Sequence, residues 1–253
     1  MMIIHNDLIK KAAAHLKQGG VIVYPTETAY ALGADATEQK AVDAIFKIKG
    51  RSKNKTLPML AADLTMVKRY CLMSKEEEQA AKKYWPGPLT LVLRIPPKVD
   101  TRGMKREIII KKQATAMKNQ KGNVEMIKRQ FATSGGVAFD GWLARGIEAK
   151  DRTAAFRVSA HPIARALSAA LERPLVSTSA NRAGAGECFS VAEVKKQLGG
   201  AWQTGTVGQT GNGWQKIFFI DGGILKKRKP STVIKIEDGK IKVLRQGEIK
   251  MKR

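Results

Sequence analysis

Residues 8–28 read Leu-Ile-Lys-Lys-Ala-Ala-Ala-His-Leu-Lys-Gln-Gly-Gly-Val-Ile-Val-Tyr-Pro-Thr-Glu-Thr. Leu8, Ile9, Ala12, Ala13 and Leu16 recur at the spacing of one helix face, and the pattern stops at Gly19-Gly20. Val21-Ile22-Val23-Tyr24 follows as a short buried strand that Pro25 ends. A helix yielding to a fully apolar strand, with glycine at the exit and proline at the stop, is the building unit of an α/β fold. The segment after Pro25, up to the next helical stripe, then reads as a loop.

The same alternation extends outward through most of the 253 residues. Ala41, Val42, Ile45, Phe46 and Ile48 form a second helical stripe, whose C-terminal end delivers Lys49, Gly50 and Arg51 into a loop. Residues 57–61 are the next expected strand. Ser74 with Glu77 is a capping-box start for a helix to about Tyr84, broken by Trp85-Pro86-Gly87-Pro88 before a strand over 89–95. Further strands are expected over 154–158, 174–178, 217–220, 232–236 and 241–244. A helix is expected over 162–171, and a second capping box, Ser190 with Glu193, opens another. There is no internal repeat. The expectation is α/β: a single domain over 1–253, with a twisted mixed sheet and flanking helices.

Residues 98–140 break this rhythm. Ten Lys/Arg against four acids give that stretch a net charge of +6, and its spacing is irregular, as if inserted. A solvated loop is one reading of it; an arm that grips RNA, or a lid, is the other.

Composition narrows the function. No apolar run approaches the roughly 18 residues of a membrane helix, and the first residues lack the apolar centre of a signal peptide. A cytoplasmic protein with no membrane association is expected. Cys71 and Cys188 are too few and too far apart for a disulfide framework or zinc cluster, and are expected to be buried or inert thiols. A surplus of 46 Lys+Arg over 22 Asp+Glu, net +24, suits an anionic partner such as nucleic acid or nucleotide, or else a solubilising surface.

Motif absences remove whole reaction classes. There is no Gly-x-x-x-x-Gly-Lys-Ser/Thr loop, no Gly-x-Gly-x-x-Gly after a strand, and no metal-ligand spacing. His5, His15 and His161 are scattered, and His161, just before Pro162, reads as a hydrogen-bonded structural residue at a helix start. What remains is a set of loops rich in hydroxyls, amides and fixed positive charge: 25–28, 49–55 and 177–181. In open α/β sheets the ligand crevice lies outside the strand ends. Taken one at a time, such loops are ordinary turn and cap chemistry.

Their order is more telling. Pro-Thr-Glu-Thr-x-Tyr-x-Leu-Gly (25–33), Lys-Gly-Arg-x-x-Asn-Lys (49–55), Trp-Pro-Gly-Pro-Leu-Thr (85–90) and Arg-Val-x-x-His-Pro (157–162) resemble the YrdC-like threonylcarbamoyl-adenylate synthases. Pro-Leu-Val-Ser-Thr-Ser-Ala-Asn (174–181), Pro-Ser-Thr-Val (230–233) and Leu-Arg-Gln-Gly (244–247) do the same. The resemblance covers roughly 8–97 and 142–247 and is greatest to the short bacterial form, since the chain stops soon after Gly247.

That resemblance implies a single YrdC-like domain with a concave basic cleft, in which L-threonine, bicarbonate and ATP become threonylcarbamoyl-AMP and diphosphate for a tRNA adenosine modification. It puts Thr28, Arg157, Ser177 and Ser231 around threonine, and Arg51, Lys55, Thr153, Ser179, Asn181 and Arg245 around ATP. Lys49 and Arg51 are the implied catalytic pair. No protein metal site is implied; Mg2+ comes with the nucleotide. Implied partners are tRNA or double-stranded RNA and the threonylcarbamoyl-transferase complex. Three departures stand out: Leu60 where many relatives carry histidine, Lys55 in place of an asparagine, and the stretch 98–140. The competing readings are a non-catalytic RNA-binding module and a carbamoyl-transfer domain separated from a larger enzyme.

Overall fold

In a computed structural model of the chain, residues 6–96, 143–199, 207–210, 213–215 and 217–251 are described. The basic stretch 98–140 lies outside them. The first apolar stripe forms α1 (Asn6–Lys17), which buries Ile9, Ala12, Ala13 and Leu16. It packs on α5 (Pro162–Leu171), whose Ile163, Ala164, Leu167 and Leu171 complete a core layer with Ile22, Tyr24, Leu60 and Leu175. A larger core on the remaining side takes in the buried faces of α2 (Gln39–Lys49), α3 (Leu64–Tyr70) and α4 (Lys75–Tyr84).

The expected single sheet is divided in two. One has four strands in the order β10-β1-β2-β7: β1 (Ile22–Pro25) runs parallel to β10 (Phe218–Phe219) and antiparallel to β2 (Tyr30–Gly33), and β2 pairs antiparallel with β7 (Thr178–Ser179). The other has six, ordered β12-β11-β4-β5-β3-β6. Its members are β3 (Met59–Leu60), β4 (Leu89–Arg94), β5 (Thr153–Arg157), β6 (Leu175–Val176), β11 (Thr232–Glu237) and β12 (Lys240–Arg245). β11 with β4 and β3 with β5 are parallel; the other pairs are antiparallel. A separate hairpin joins β8 (Val207–Thr210) and β9 (Gly213–Gln215).

The expected strand over 174–178 is thus two short strands in different sheets. Val176 ends β6, Thr178 begins β7, and Ser177 is the crossing point, held by its N–H donating to Pro58 O at 2.9 Å. A hydroxyl-bearing residue placed where the chain changes sheets faces the space between them.

Local signals explain where the helices start and stop. The capping box at α4 is complete: Ser74 Oγ accepts from Glu77 N at 3.1 Å, and Glu77 returns a carboxylate oxygen to Ser74 N at 2.7 Å. At α6 (Val191–Leu198) only half the expected box forms. Ser190 Oγ accepts from Glu193 N, while the Glu193 carboxylate accepts from Phe189 N instead. Helix α2 ends on Gly50 at φ 59°, a left-handed conformation that favours glycine and turns the chain so that Arg51 leaves the helix axis.

Candidate active site

Between the two sheets lies a cleft of about 370 Å3. Its floor is one face of the six-stranded sheet, with Thr90 and Val92 from β4, Ala155 and Arg157 from β5 and Val233 from β11. Its walls come from the β1–β2 loop, the chain after α2, the Ser177–Ser179 crossing and the residues around Ser231.

Seven of the expected ligand residues line this one cleft: Thr28, Arg51, Arg157, Ser177, Ser179, Ser231 and Arg245. Each is placed by the backbone beneath it. Thr26 Oγ1 donates to Ala29 O at 2.7 Å and accepts from Thr28 N at 3.2 Å, a side-chain turn that fixes the β1–β2 loop with Thr28 buried against the cleft. Arg51 donates from Nη2 to Thr56 O at 2.9 Å and from Nε to Lys55 O at 3.3 Å, which orients its guanidinium and leaves further N–H groups free for a ligand.

Arg157, only 9% exposed, is paired with Glu27 at 2.7 Å and donates from Nη1 to Thr28 Oγ1 at 3.4 Å. Glu27 also accepts from Ser159 Oγ and from Ala160 N. Burial pushes the Glu27 carboxyl up, but Arg157 and these donors outweigh it and hold the group below the usual carboxylate range. Arg157 Nε is buried without a hydrogen-bond partner among the described residues. The guanidinium's place on the cleft floor makes it a position for an anion.

At the opposite wall Arg245 brackets Ser231, with Nε and Nη2 on Ser231 O at 3.1 and 2.8 Å and Nη2 on its Oγ at 3.0 Å. Thr90 Oγ1 lies 2.9 Å from Ser231 Oγ. Gly247 packs beneath this arrangement, where a Cβ would meet Pro230 O at 2.1 Å and Ser231 O at 2.7 Å, both backbone atoms. Gly247→Ala is therefore expected to displace Ser231 and destabilise the fold by about 1–3 kcal/mol. Thermal unfolding reads this, and an unchanged midpoint would contradict it.

Four expected site residues do not line the cleft. Lys49 is buried behind it: Nζ donates to Ser179 O and, at 2.8 Å each, to Asn181 O and Oδ1. Burial, with Arg51 nearby, brings the Lys49 ammonium down to about 8. Asn181 is likewise engaged in the turn, accepting from Ser179 Oγ at 2.7 Å and donating Nδ2 to Gly186 O. Both thus shape the Ser179 wall from behind, because every polar atom they present is already bonded to the turn. Lys55 is exposed on the loop and contributes its carbonyl to Arg51. Thr153 is two residues from Ala155 along the same face of β5, and its hydroxyl donates to Asp151 at 2.7 Å.

Other expectations met mixed outcomes. Cys71 and Cys188 are buried free thiols, Cys188 pushed up to about 11 by burial. Leu60 is buried in the α1–α5 core layer, away from the cleft. His161 stands at the start of α5 with its backbone N–H donating to Ser159 Oγ at 3.1 Å, but its ring makes no cap hydrogen bond: Nδ1 is buried without a partner among the described residues, and burial lowers its pKa. Sequence reasoning missed Glu187, an acid on the cleft wall.

The family model Sua5/YciO/YrdC, described as telomere recombination, matches residues 14–130 and 137–247. The chain belongs to this family. Among Sua5/YciO/YrdC relatives, the protein named threonylcarbamoyl-AMP synthase of Halorhodospira halophila is 32% identical over 192 residues, which is 76% of this chain and 78% of that protein. Its namesake in Aliivibrio fischeri is 31% identical over 212 residues, 81% of this chain and 89% of that one. Two solved structures of family members share the fold. P. abyssi Sua5 complexed with L-threonine superposes with a TM-score of 0.66 at 28% identity, covering 97% of this chain. The chain spans 56% of that longer protein. E. coli YciO gives a TM-score of 0.63 at 25% identity, covering 96% and 90% of the two chains.

Proposed function

We propose that the chain is a threonylcarbamoyl-AMP synthase acting as a nucleotidyltransferase on L-threonine, bicarbonate and ATP. The observation that carries this reading is the meeting of Arg51, Arg157, Ser179 and Ser231, distant in sequence, around one cleft. The names of its relatives and the threonine complex of Sua5 support the choice of substrate.

In the first step the threonine ammonium gives up a proton to solvent, and the resulting amine attacks the carbon of bicarbonate, giving a carbamate and water. In the second a carbamate oxygen attacks the α-phosphorus of ATP; the new P–O bond replaces the bond to the β-phosphate, and diphosphate leaves. Neither step needs a covalent enzyme intermediate, so catalysis rests on positioning and on charge stabilisation at phosphate oxygens. Arg157, with Thr28, Ser177 and Ser231, would hold threonine. Arg51, Ser179 and Arg245, which line the cleft, would hold the nucleotide; Thr153 and Lys55 lie outside its lining. Lys49 and Asn181 would act by holding Ser179. Mg2+ would enter with ATP; among the described residues no group of three His, Cys, Asp or Glu could form a cage for it.

Purified protein incubated with ATP, bicarbonate and single amino acids is expected to release diphosphate with threonine alone. Absence of threonine-dependent release would overturn the assignment.

A cytoplasmic location fits this chemistry, and no helix among the described residues is long and apolar enough to cross a membrane. The product would pass to a threonylcarbamoyl-transferase complex. The +6 charge of 98–140 supports a tRNA or double-stranded RNA contact there. Deleting that stretch is expected to weaken RNA binding and flatten its salt dependence, by roughly one unit of log–log slope for each phosphate that the stretch neutralises; an unchanged slope would remove the idea.

A further inference from the structure

Glu187 is the one acid among the described residues lining the cleft, in company with Arg51, Arg157 and Arg245. Its backbone is anchored on both sides. Gly186 O accepts from Asn181 Nδ2 at 3.2 Å and Gln197 Nε2 at 2.9 Å, and Cys188 O accepts from Tyr30 N at 2.9 Å. The residue is therefore fixed to the wall by α6 on one side and β2 on the other.

Its carboxylate is half-buried and feels the charges of Arg245 and Arg157, yet no hydrogen bond or salt bridge engages it among the described residues. Burial pushes this carboxyl above the usual range, more than the two arginines pull it back. Glu27, the neighbouring acid, differs: Arg157, Ser159 and Ala160 already occupy its oxygens. Phosphates cannot account for Glu187, because a negative charge inside a phosphate-binding cleft repels them. An amino-acid zwitterion does account for it. Arg157 suits the carboxylate, and the ammonium three atoms away needs an acceptor of full negative charge, which among the described lining residues only Glu187 supplies.

We propose that Glu187 accepts the α-ammonium group of the amino-acid substrate and so makes the cleft selective for an amine at that position. This rests on the cleft being the site for an amino acid and ATP. The test compares wild type, Glu187→Gln and Glu187→Asp in diphosphate release, with KM for threonine and for ATP measured separately. It also measures competition by 2,3-dihydroxybutyrate, which is threonine with a hydroxyl in place of the amine.

In Glu187→Gln the threonine KM is expected to rise about 10- to 100-fold. The ATP KM should stay level or fall, and the preference for the amine over the hydroxy acid should collapse. Glu187→Asp should retain part of that preference. An unchanged threonine KM and preference overturns the proposal, as does a rise confined to the ATP KM, which would mark a metal–nucleotide contact. If Glu187→Gln does not fold, the comparison passes to Glu187→Asp, where an undiminished preference is the contradicting result. Wild-type protein inactive with threonine and ATP would instead overturn the parent assignment.

Discussion

Arg51→Ala is expected to lower threonine-dependent diphosphate release by about a hundred- to a thousandfold while leaving the fold intact. The side chain is half-exposed and its hydrogen bonds go to two carbonyls of its own loop, Lys55 O and Thr56 O, so few native contacts depend on it. Its worth lies in what it offers the cleft: a guanidinium held in place before the ligand arrives, which needs no reorganisation as charge builds on the transferring phosphoryl group. Arg51→Lys keeps the charge without the planar fork and should recover only part of the rate. Turnover close to wild type in Arg51→Ala, with an unchanged unfolding midpoint, would remove Arg51 from the reaction.

The second large effect falls at Arg157, where stability and binding can be separated. Arg157→Ala leaves Glu27 buried without its ion-pair partner, and breaking such a pair typically costs about 3–5 kcal/mol. The Arg157 and Glu27 side chains are only 11% and 12% exposed, so solvent screens the pair little. Because Glu27 is held below the usual carboxylate range, wild type keeps this contribution at neutral pH and loses it as pH falls through the lowered folded value. In Arg157→Ala the main opposing influence on burial is gone, so the variant's deficit should be largest at neutral pH and shrink in acid. Adding Glu27→Gln removes the stranded charge and should restore much of the stability. Threonine binding should stay absent in both variants, since neither retains the guanidinium. Recovery of threonine binding in the double variant would show that Arg157 serves the fold alone.

The longer helices are legible in the sequence because each has an apolar stripe, a marked end or both. Examples are α1 closing at Gly19-Gly20 and α4 opening on the Ser74–Glu77 box. The seven-residue α3 is not: it is barely two turns long, and its start signal is the single cap from Asp63 to Met66 N at 2.7 Å. Strand β2 reads as loop in the sequence because Tyr30–Gly33 is short and buried on both faces, so no alternation marks it. The break at Ser177 is a tertiary event. Nothing local in Leu-Val-Ser-Thr-Ser says that two sheets will claim its two ends.

The site divides along the same line. Thr28, Arg157 and Ser231 are legible because they sit in ordered motifs, and the fold brings those motifs to one cleft. The motif does not reveal that Lys49 and Asn181 spend their polar atoms on each other, on Ser179 and on the Ala185 and Gly186 carbonyls, leaving none for the cleft. Glu187 has no signal at all, being a lone acid between a glycine and a cysteine; the hydrogen bonds to Gly186 O and Cys188 O on either side give it its address.

The most direct measurement is a crystal structure of the protein with L-threonine and an ATP analogue whose α–β bridge cannot be cleaved. Both ligands should lie in the one cleft, the threonine carboxylate on Arg157 and the triphosphate along Arg51 and Ser179, with the amine facing the α-phosphorus. Threonine and nucleotide bound in separate places, or neither touching these side chains, would contradict the account.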